Sequence, residues 1–168
     1  MGYYVQGTGH VVITKANLEK AHEALMALQD APDSGKRGGA HSGGKQTASW
    51  YSWMPEDLRT LPDTKSVFET LGFEVEDSAN GDLVIGGYDN KTGQEDVFFA
   101  AAAPFIENGE YEWTGEDGSF WEWTFADGKM YRRDGIRAYG KLVAVSVPEL
   151  QSELAAMMGR MDAALAPE

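Results

Sequence analysis

Residues 109–133 decide the fold of this chain and read GEYEWTGEDGSFWEWTFADGKMYRR. Two segments within them, Glu116-Asp117-Gly118 and Asp127-Gly128, are typical turn sequences of β-hairpins. Aromatic and polar residues alternate on both sides of each turn, as they do in strands with one buried face. The stretch therefore predicts three antiparallel strands connected as a meander.

The first turn sets the register of this meander. A three-residue loop with Gly118 in the left-handed conformation pairs Trp113 with Trp121 and Tyr111 with Trp123, so that one face becomes an aromatic ladder. A two-residue loop would pair aromatic residues with acids and mix the two faces, and we reject it for that reason.

The other face of the meander is polar, and its register opposes Glu112 to Glu122, a like-charge pair that destabilises a hairpin. A two-residue type I′ turn at Asp127-Gly128 then places Arg133 opposite Glu122, where it neutralises the pair. Two close carboxylates could form an acid/base pair with separated pKa values. We favour the other interpretation, a solvated face with a cross-strand salt bridge. The face carries Glu110, Glu112, Thr114, Phe120, Glu122 and Thr124.

Composition limits the class of protein. The chain has 168 residues, no cysteine, 42% hydrophobic residues and a net charge of −13. This composition predicts one globular domain of ordinary size without disulfides or thiolate metal sites. The start lacks the basic and apolar blocks of a signal peptide, and the longest apolar run, about 10 residues, is too short to span a bilayer. We therefore expect a cytoplasmic protein that binds neither membrane nor bulk nucleic acid. The charge favours a basic partner or mimicry of a polyanion.

The N-terminal third begins with a buried strand at Val11-Val12-Ile13, preceded by glycines at positions 7 and 9 that suggest a bulge or a late strand start. Thr14 is the predicted N-cap of a helix that runs to about Gln29. His22 lies beside the apolar stripe of this helix, and we interpret it as a half-buried packing residue rather than a metal ligand.

A glycine-rich segment at 33–47 predicts a mobile loop without packed helix or strand. Gly39 to Lys45 matches the beginning of a phosphate-binding loop. The match fails because Gln46 replaces the Mg²⁺-binding Ser or Thr and because a helix precedes the loop. Two interpretations remain open: an anion site formed by backbone N–H groups with Lys36, Arg37 and Lys45, or plain surface.

The next segment, Ser49 to Met54, alternates like a strand. It places Trp50 and Trp53 on opposite faces, and their indoles could stack on the base of a nucleotide held by the glycine-rich loop.

Further elements follow from local signals. Asp63 or Thr64 caps a short helix that Gly72 ends, and residues 73–88 form a hairpin around a turn at Asn80-Gly81. A third helix begins at about Gln94 and ends near Pro104.

Beyond the meander, residues 142–147 predict a strand and residues 148–168 an amphipathic helix. The apolar stripe of this helix either packs on the domain or forms a seam for a partner or a second copy, because methionine adapts to varied surfaces. The candidate partner-binding residues are Leu154, Met157 and Met161.

Five segments of the chain form a recognisable set. They are Gly38-Gly39, Gly43-Gly44-Lys45, Trp50-Tyr-Ser-Trp-Met54, Leu71-Gly-Phe-Glu-Val75 and Trp113-x-Gly115-Glu-Asp-Gly118-x-x-Trp121-x-Trp123. Together they resemble a family of small proteins encoded by actinobacteria and their phages. The resemblance covers roughly residues 11–140 and implies a phage or mobile-element accessory protein. The family has no assigned activity, so the resemblance implies no catalytic residue.

The sequence therefore predicts an α+β fold, a mainly antiparallel twisted sheet with helices on one face. A domain at 1–147 is expected to be followed by the helix at 148–168. For function we expect a non-catalytic accessory protein without a cofactor, which binds a host protein in a host-takeover or anti-defence role or associates with itself. The alternative is a protein that binds a nucleotide or cyclic nucleotide through the basic loop with Trp50 and Trp53.

Overall fold

A six-stranded antiparallel sheet is the main feature of the computed structural model, which describes residues 3–36, 38, 41–42, 45–46, 49–136, 138 and 156. The strands are β1 (Tyr4–Ile13), β2 (His41–Ser42), β3 (Lys45–Gln46), β4 (Phe73–Asp77), β5 (Leu83–Lys91), β6 (Ile106–Gly115), β7 (Phe120–Ala126) and β8 (Lys129–Asp134). The helices are α1 (Leu18–Ala27), α2 (Thr64–Leu71) and α3 (Glu95–Ala102). The sheet order is β4-β5-β1-β6-β7-β8, and β2 pairs with β3 separately. The predicted α+β class is confirmed.

Contacts divide the chain into two units, residues 1–136 and 137–168. All the helices and strands named above belong to the first unit. The predicted boundary at residue 147 and the strand at 142–147 lie outside the described residues, and so does the helix at 148–168 apart from position 156.

The meander has the predicted register. Trp113 lies opposite Trp121 and Tyr111 opposite Trp123, and the two rings of the first pair stack at 5.9 Å. Gly118 is left-handed with φ of 82°, which closes the three-residue loop. At the second turn Asp127 and Gly128 have φ of 53° and 69°, as a type I′ turn requires.

The side chain of Tyr111, which belongs to β6, lies across the central strand β1. A β-carbon at Gly7 or Gly9 would lie within 2.4 Å of the Tyr111 ring, so glycine is needed at both positions for the ring to pack there. The phenol donates a hydrogen bond to the Gly86 carbonyl of β5. The pairing of β1 with β5 shifts register between Gly7 and Val11, which confirms the predicted bulge.

The helices pack on the aromatic face of the sheet. Phe99 of α3 lies 5.1 Å from Phe73 and 5.5 Å from Trp123, measured between ring centroids. Asp63 caps α2 by accepting a hydrogen bond from the Ser66 backbone N–H at 2.7 Å, and Gly72 ends the helix with φ of 108°. These contacts build one core, shared by the sheet and all three helices.

The first helix differs in detail from the prediction. Residues 15–17 and 28–30 are 3-10 turns that flank α1, and the Thr14 side chain makes no capping hydrogen bond. Thr14 directly follows β1, and its carbonyl accepts a hydrogen bond from the Asn17 N–H at 2.8 Å, so it begins a 3-10 turn rather than α1.

Residues 49–54 form a turn rather than the predicted strand. The Met54 N–H donates to the Tyr51 carbonyl at 3.2 Å, and the Ser49 hydroxyl donates to the same carbonyl at 3.1 Å. Because the chain turns here, Trp50 and Tyr51 both enter the core, whereas a strand would place them on opposite faces.

A buried carboxylate marks the start of α3. Glu95 is 3% exposed and accepts hydrogen bonds from the Tyr88 hydroxyl at 2.8 Å, the Thr92 hydroxyl at 3.0 Å and the Gly93 N–H. Such a fully bonded charge can be buried at the positive end of a helix. Burial, together with the Glu95 charge, raises the pKa of the Tyr88 hydroxyl.

Within the part of the chain that the structure describes, no helix is long and apolar enough to cross a membrane.

The turn at Gly118 offers a direct test of the meander. We expect Gly118→Val to lower the free energy of unfolding by about 1–3 kcal/mol, because a β-branched residue resists the left-handed conformation. Chemical denaturation followed by tryptophan fluorescence measures the change. Gly35→Val is the control, since a β-carbon there would meet open space. Equal stability of the Gly118 variant and wild type would contradict the loop type.

Candidate functional site

Lys36 does not project into an open anion site. Its side chain is 5% exposed, and its ammonium donates to the Gln29 carbonyl at 2.8 Å and pairs with the Asp33 carboxylate at 3.4 Å. Asp33, one helical turn earlier in the chain, compensates the charge of Lys36.

The two predicted stacking tryptophans do not form a platform. Trp50 is 5% exposed and packs edge-on against Phe98 at 5.5 Å, so its ring face is not open to a base. Trp53 is 41% exposed, and its indole N–H donates to the Thr70 carbonyl at 3.1 Å. The proposed joint role of Lys36, Trp50 and Trp53 is therefore not supported by their positions.

The remaining candidate residues stay predictions. Lys45 lies in the two-residue strand β3, opposite Ser42. This short strand pair differs from the expectation that the glycine-rich segment forms no strand. Arg37 and the predicted partner-binding residues Leu154, Met157 and Met161 lie outside the described residues.

The open face of the sheet, opposite the helices, brings polar residues of four strands into two rows. The first row crosses the sheet as Thr8, Glu112, Glu122 and Arg133. The second row crosses it as His10, Glu110, Thr124 and Tyr131. We call these eight residues the open-face rows.

Arg133 is bonded to one carboxylate of the first row. Its guanidinium donates two hydrogen bonds to Glu122, at 3.0 Å and 2.6 Å, and Glu122 also accepts from the Thr124 hydroxyl at 2.8 Å. These two partners, Arg133 first, hold the pKa of the Glu122 carboxyl below its ordinary value. The predicted cross-strand salt bridge is confirmed.

Two neighbouring carboxylates have no such partner. Glu110 and Glu112 are exposed, and neither side-chain carboxylate makes a hydrogen bond or an ion pair with any residue the structure describes. Their charges help to raise the pKa of Arg133, after the larger contribution of Glu122. One guanidinium therefore faces three carboxylates, and the open-face rows keep an excess of negative charge.

A groove of about 570 Å³ runs along this face. Gly9 and Gly109 contribute backbone to its floor. The lining residues are Thr8, Gly9, His10, Asn108, Gly109, Glu110, Glu112, Thr124 and Phe125.

Thr8 and His10 were not identified from the sequence. Alternation back from the buried Val11 assigns both to the polar face of their strand, but it does not predict which strand lies beside them. The pairing of β1 with β6 sets Thr8 opposite Glu112 and His10 opposite Glu110.

The chain is thus an α+β protein whose antiparallel sheet has one face covered by helices and the other face polar. Comparison with family models, with curated proteins and with solved structures finds no match.

The salt bridge on the open face predicts a pH dependence. Because the folded-state pKa of Glu122 is lowered, its carboxylate stabilises the fold above its ordinary pKa of about 4.5, and this contribution is lost as pH falls below that value. We expect Arg133→Met to lower the melting temperature at pH 7, and we expect the difference from wild type to shrink towards pH 3.

Thermal melts from pH 3 to pH 7 measure this difference. Arg132→Met is the matched control, since Arg132 pairs with the exposed Asp134 instead of Glu122. A difference for Arg133→Met that stayed constant over the whole pH range would contradict the linkage.

Proposed function

We propose that this protein is a non-catalytic accessory protein that binds a basic surface of a host protein through its open-face rows. It acts in the cytoplasm, in keeping with its resemblance to phage-encoded proteins. The observation that carries the proposal is the pair of uncompensated carboxylates, Glu110 and Glu112, beside a groove on a sheet face that none of the described helices covers.

The charge of the open face selects the partner. A carboxylate exposed beside two others is destabilised by their repulsion, and a bound cation relieves it. Arg133 compensates Glu122 by direct bonds, and no described residue makes a comparable contact with the carboxylate of Glu110 or Glu112. A lysine or arginine of the partner provides the missing positive charge.

The shape of the face suits a protein surface. Four adjacent strands form a broad surface with the exposed side chains of Thr8 and His10 at one end and Tyr131 at the other. The groove over Gly9 and Gly109 has room for one long side chain. Aromatic and arginine side chains are common anchors in protein interfaces.

The net charge of −13 contributes to the rate of association. Complementary charge steers a basic partner towards an acidic surface, and salt screens this attraction. Binding should therefore be fast at low ionic strength and should weaken as salt is added.

The carboxylates can be tested with a defined basic probe. We expect Glu110→Gln with Glu112→Gln to weaken binding of a fluorescein-labelled decalysine peptide about tenfold, since two exposed ion pairs contribute about 0.7 kcal/mol each. Fluorescence anisotropy at low salt measures the affinity.

The control keeps the net charge equal. Glu23→Gln with Glu69→Gln removes two exposed acids from α1 and α2, on the helix-covered side. Equal weakening by both double variants would mean that overall charge, not the open face, binds the peptide. Mass spectrometry of proteins that co-purify with each variant then tests whether a basic host protein is lost from the open-face variant alone.

A further inference from the structure

A second concavity lies on the helix side of the sheet and has a volume of about 500 Å³. It is formed where α1 and α2 begin, next to the end of β4 and the start of β5. This size falls within the range of small-molecule sites. The lining residues are Leu18, Glu19, His22, Pro62, Asp63, Thr64, Lys65, Asp77 and Leu83.

Hydrogen bonds from α1 to α2 and to the segment before α2 fix the walls of this pocket. The Thr64 hydroxyl donates to the Leu18 carbonyl at 2.7 Å, and His22 Nε2 donates to the Leu61 carbonyl at 2.9 Å. At the rim, Lys65 forms an ion pair with Asp77. Thr64, His22 and Lys65 thus each already donate a hydrogen bond within the protein.

Carboxylate oxygens of the pocket remain available to accept hydrogen bonds from a ligand. Asp63 uses Oδ1 for both Ser66 hydrogen bonds, at 2.7 Å and 2.6 Å. Its Oδ2 accepts no hydrogen bond from the residues described here, and neither does the carboxylate of Glu19.

We infer that this pocket binds a small organic cation with an apolar body, such as an arylalkyl amine. The amine donates to Asp63 and Glu19, where acceptors outnumber donors, and the ring lies against Leu18, Pro62 and Leu83. The inference does not depend on the proposed function, because none of the lining residues belongs to the open-face rows.

The ionisation of Asp63 supports this site. The Ser66 side chain and backbone bonds lower the pKa of Asp63 below its ordinary value, with a smaller contribution from the charge of His22. The carboxylate therefore stays charged throughout the neutral range, where an alkyl amine is protonated.

The probe is 2-phenylethylamine, and calorimetric titration together with saturation-transfer NMR detects its binding. We expect wild type to bind this amine at millimolar concentration and not to bind 3-phenylpropionate, which has the same ring and the opposite charge. Absence of amine binding at about 10 mM, or equal binding of the two compounds, would overturn the inference.

Two variants locate the site. Asp63→Asn keeps an oxygen for the helix cap, since asparagine caps as well as aspartate, and removes the charge. We expect it to weaken amine binding about tenfold. Asp57→Asn is the matched control, because Asp57 also caps a helical turn, through the Arg59 N–H at 3.0 Å, and lies outside the pocket lining.

Leu18→Trp provides an independent test by filling the pocket. It should abolish amine binding while decalysine binding to the open face stays unchanged. Amine affinity that persisted in both Leu18→Trp and Asp63→Asn would place the amine elsewhere and overturn the inference.

Discussion

The packing of the sheet depends on the side chain of Tyr111, which lies across strand β1. Its ring occupies the space that side chains at Gly7 and Gly9 would need, and its hydroxyl bonds the Gly86 carbonyl on the far side of that strand. One residue of β6 is therefore tied to β1 and β5 at once. Burial raises the pKa of this phenol, with a smaller effect from Glu74, so the hydroxyl stays protonated and remains a donor in the neutral range.

A second constraint acts where α3 begins. The Tyr51 hydroxyl accepts a hydrogen bond from the Gln94 N–H at 2.6 Å, next to the buried Glu95. This contact draws the turn at 49–54 into the core, and Trp50 follows it against Phe98. The same packing explains why Trp50 contributes to stability and is not available to a ligand.

Acids have two distinct roles in this protein. Glu95 is buried and receives hydrogen bonds from three neighbouring residues, so its charge is stabilised within the fold. Glu110 and Glu112 are exposed beside a guanidinium that is already bonded to Glu122. A charge satisfied by its own chain contributes to folding, whereas a charge left unsatisfied at the surface is available to a partner, and this difference directs our proposal to the open face.

The sequence by itself determined the local structure. The meander register followed from two turn sequences and the alternation around them, since a one-residue slip would move every aromatic residue to the polar face. The limits of α2 followed in the same way from Asp63 and Gly72. It also determined the part of the candidate site that lies on the meander, because Glu112, Glu122 and Arg133 are neighbours through those two turns.

Only the tertiary structure decided what adjoins these residues. β1 pairs with β6 across about a hundred residues of chain, and no local signal specifies that pairing, which alone brings Thr8 and His10 to Glu112 and Glu110. The inward position of Lys36 likewise depends on the Gln29 carbonyl and on Asp33. Turn chemistry acts between residues that are close in sequence, whereas strand order and burial depend on how the whole core packs, and that is why the sequence predicted the strands but not the complete surface they form.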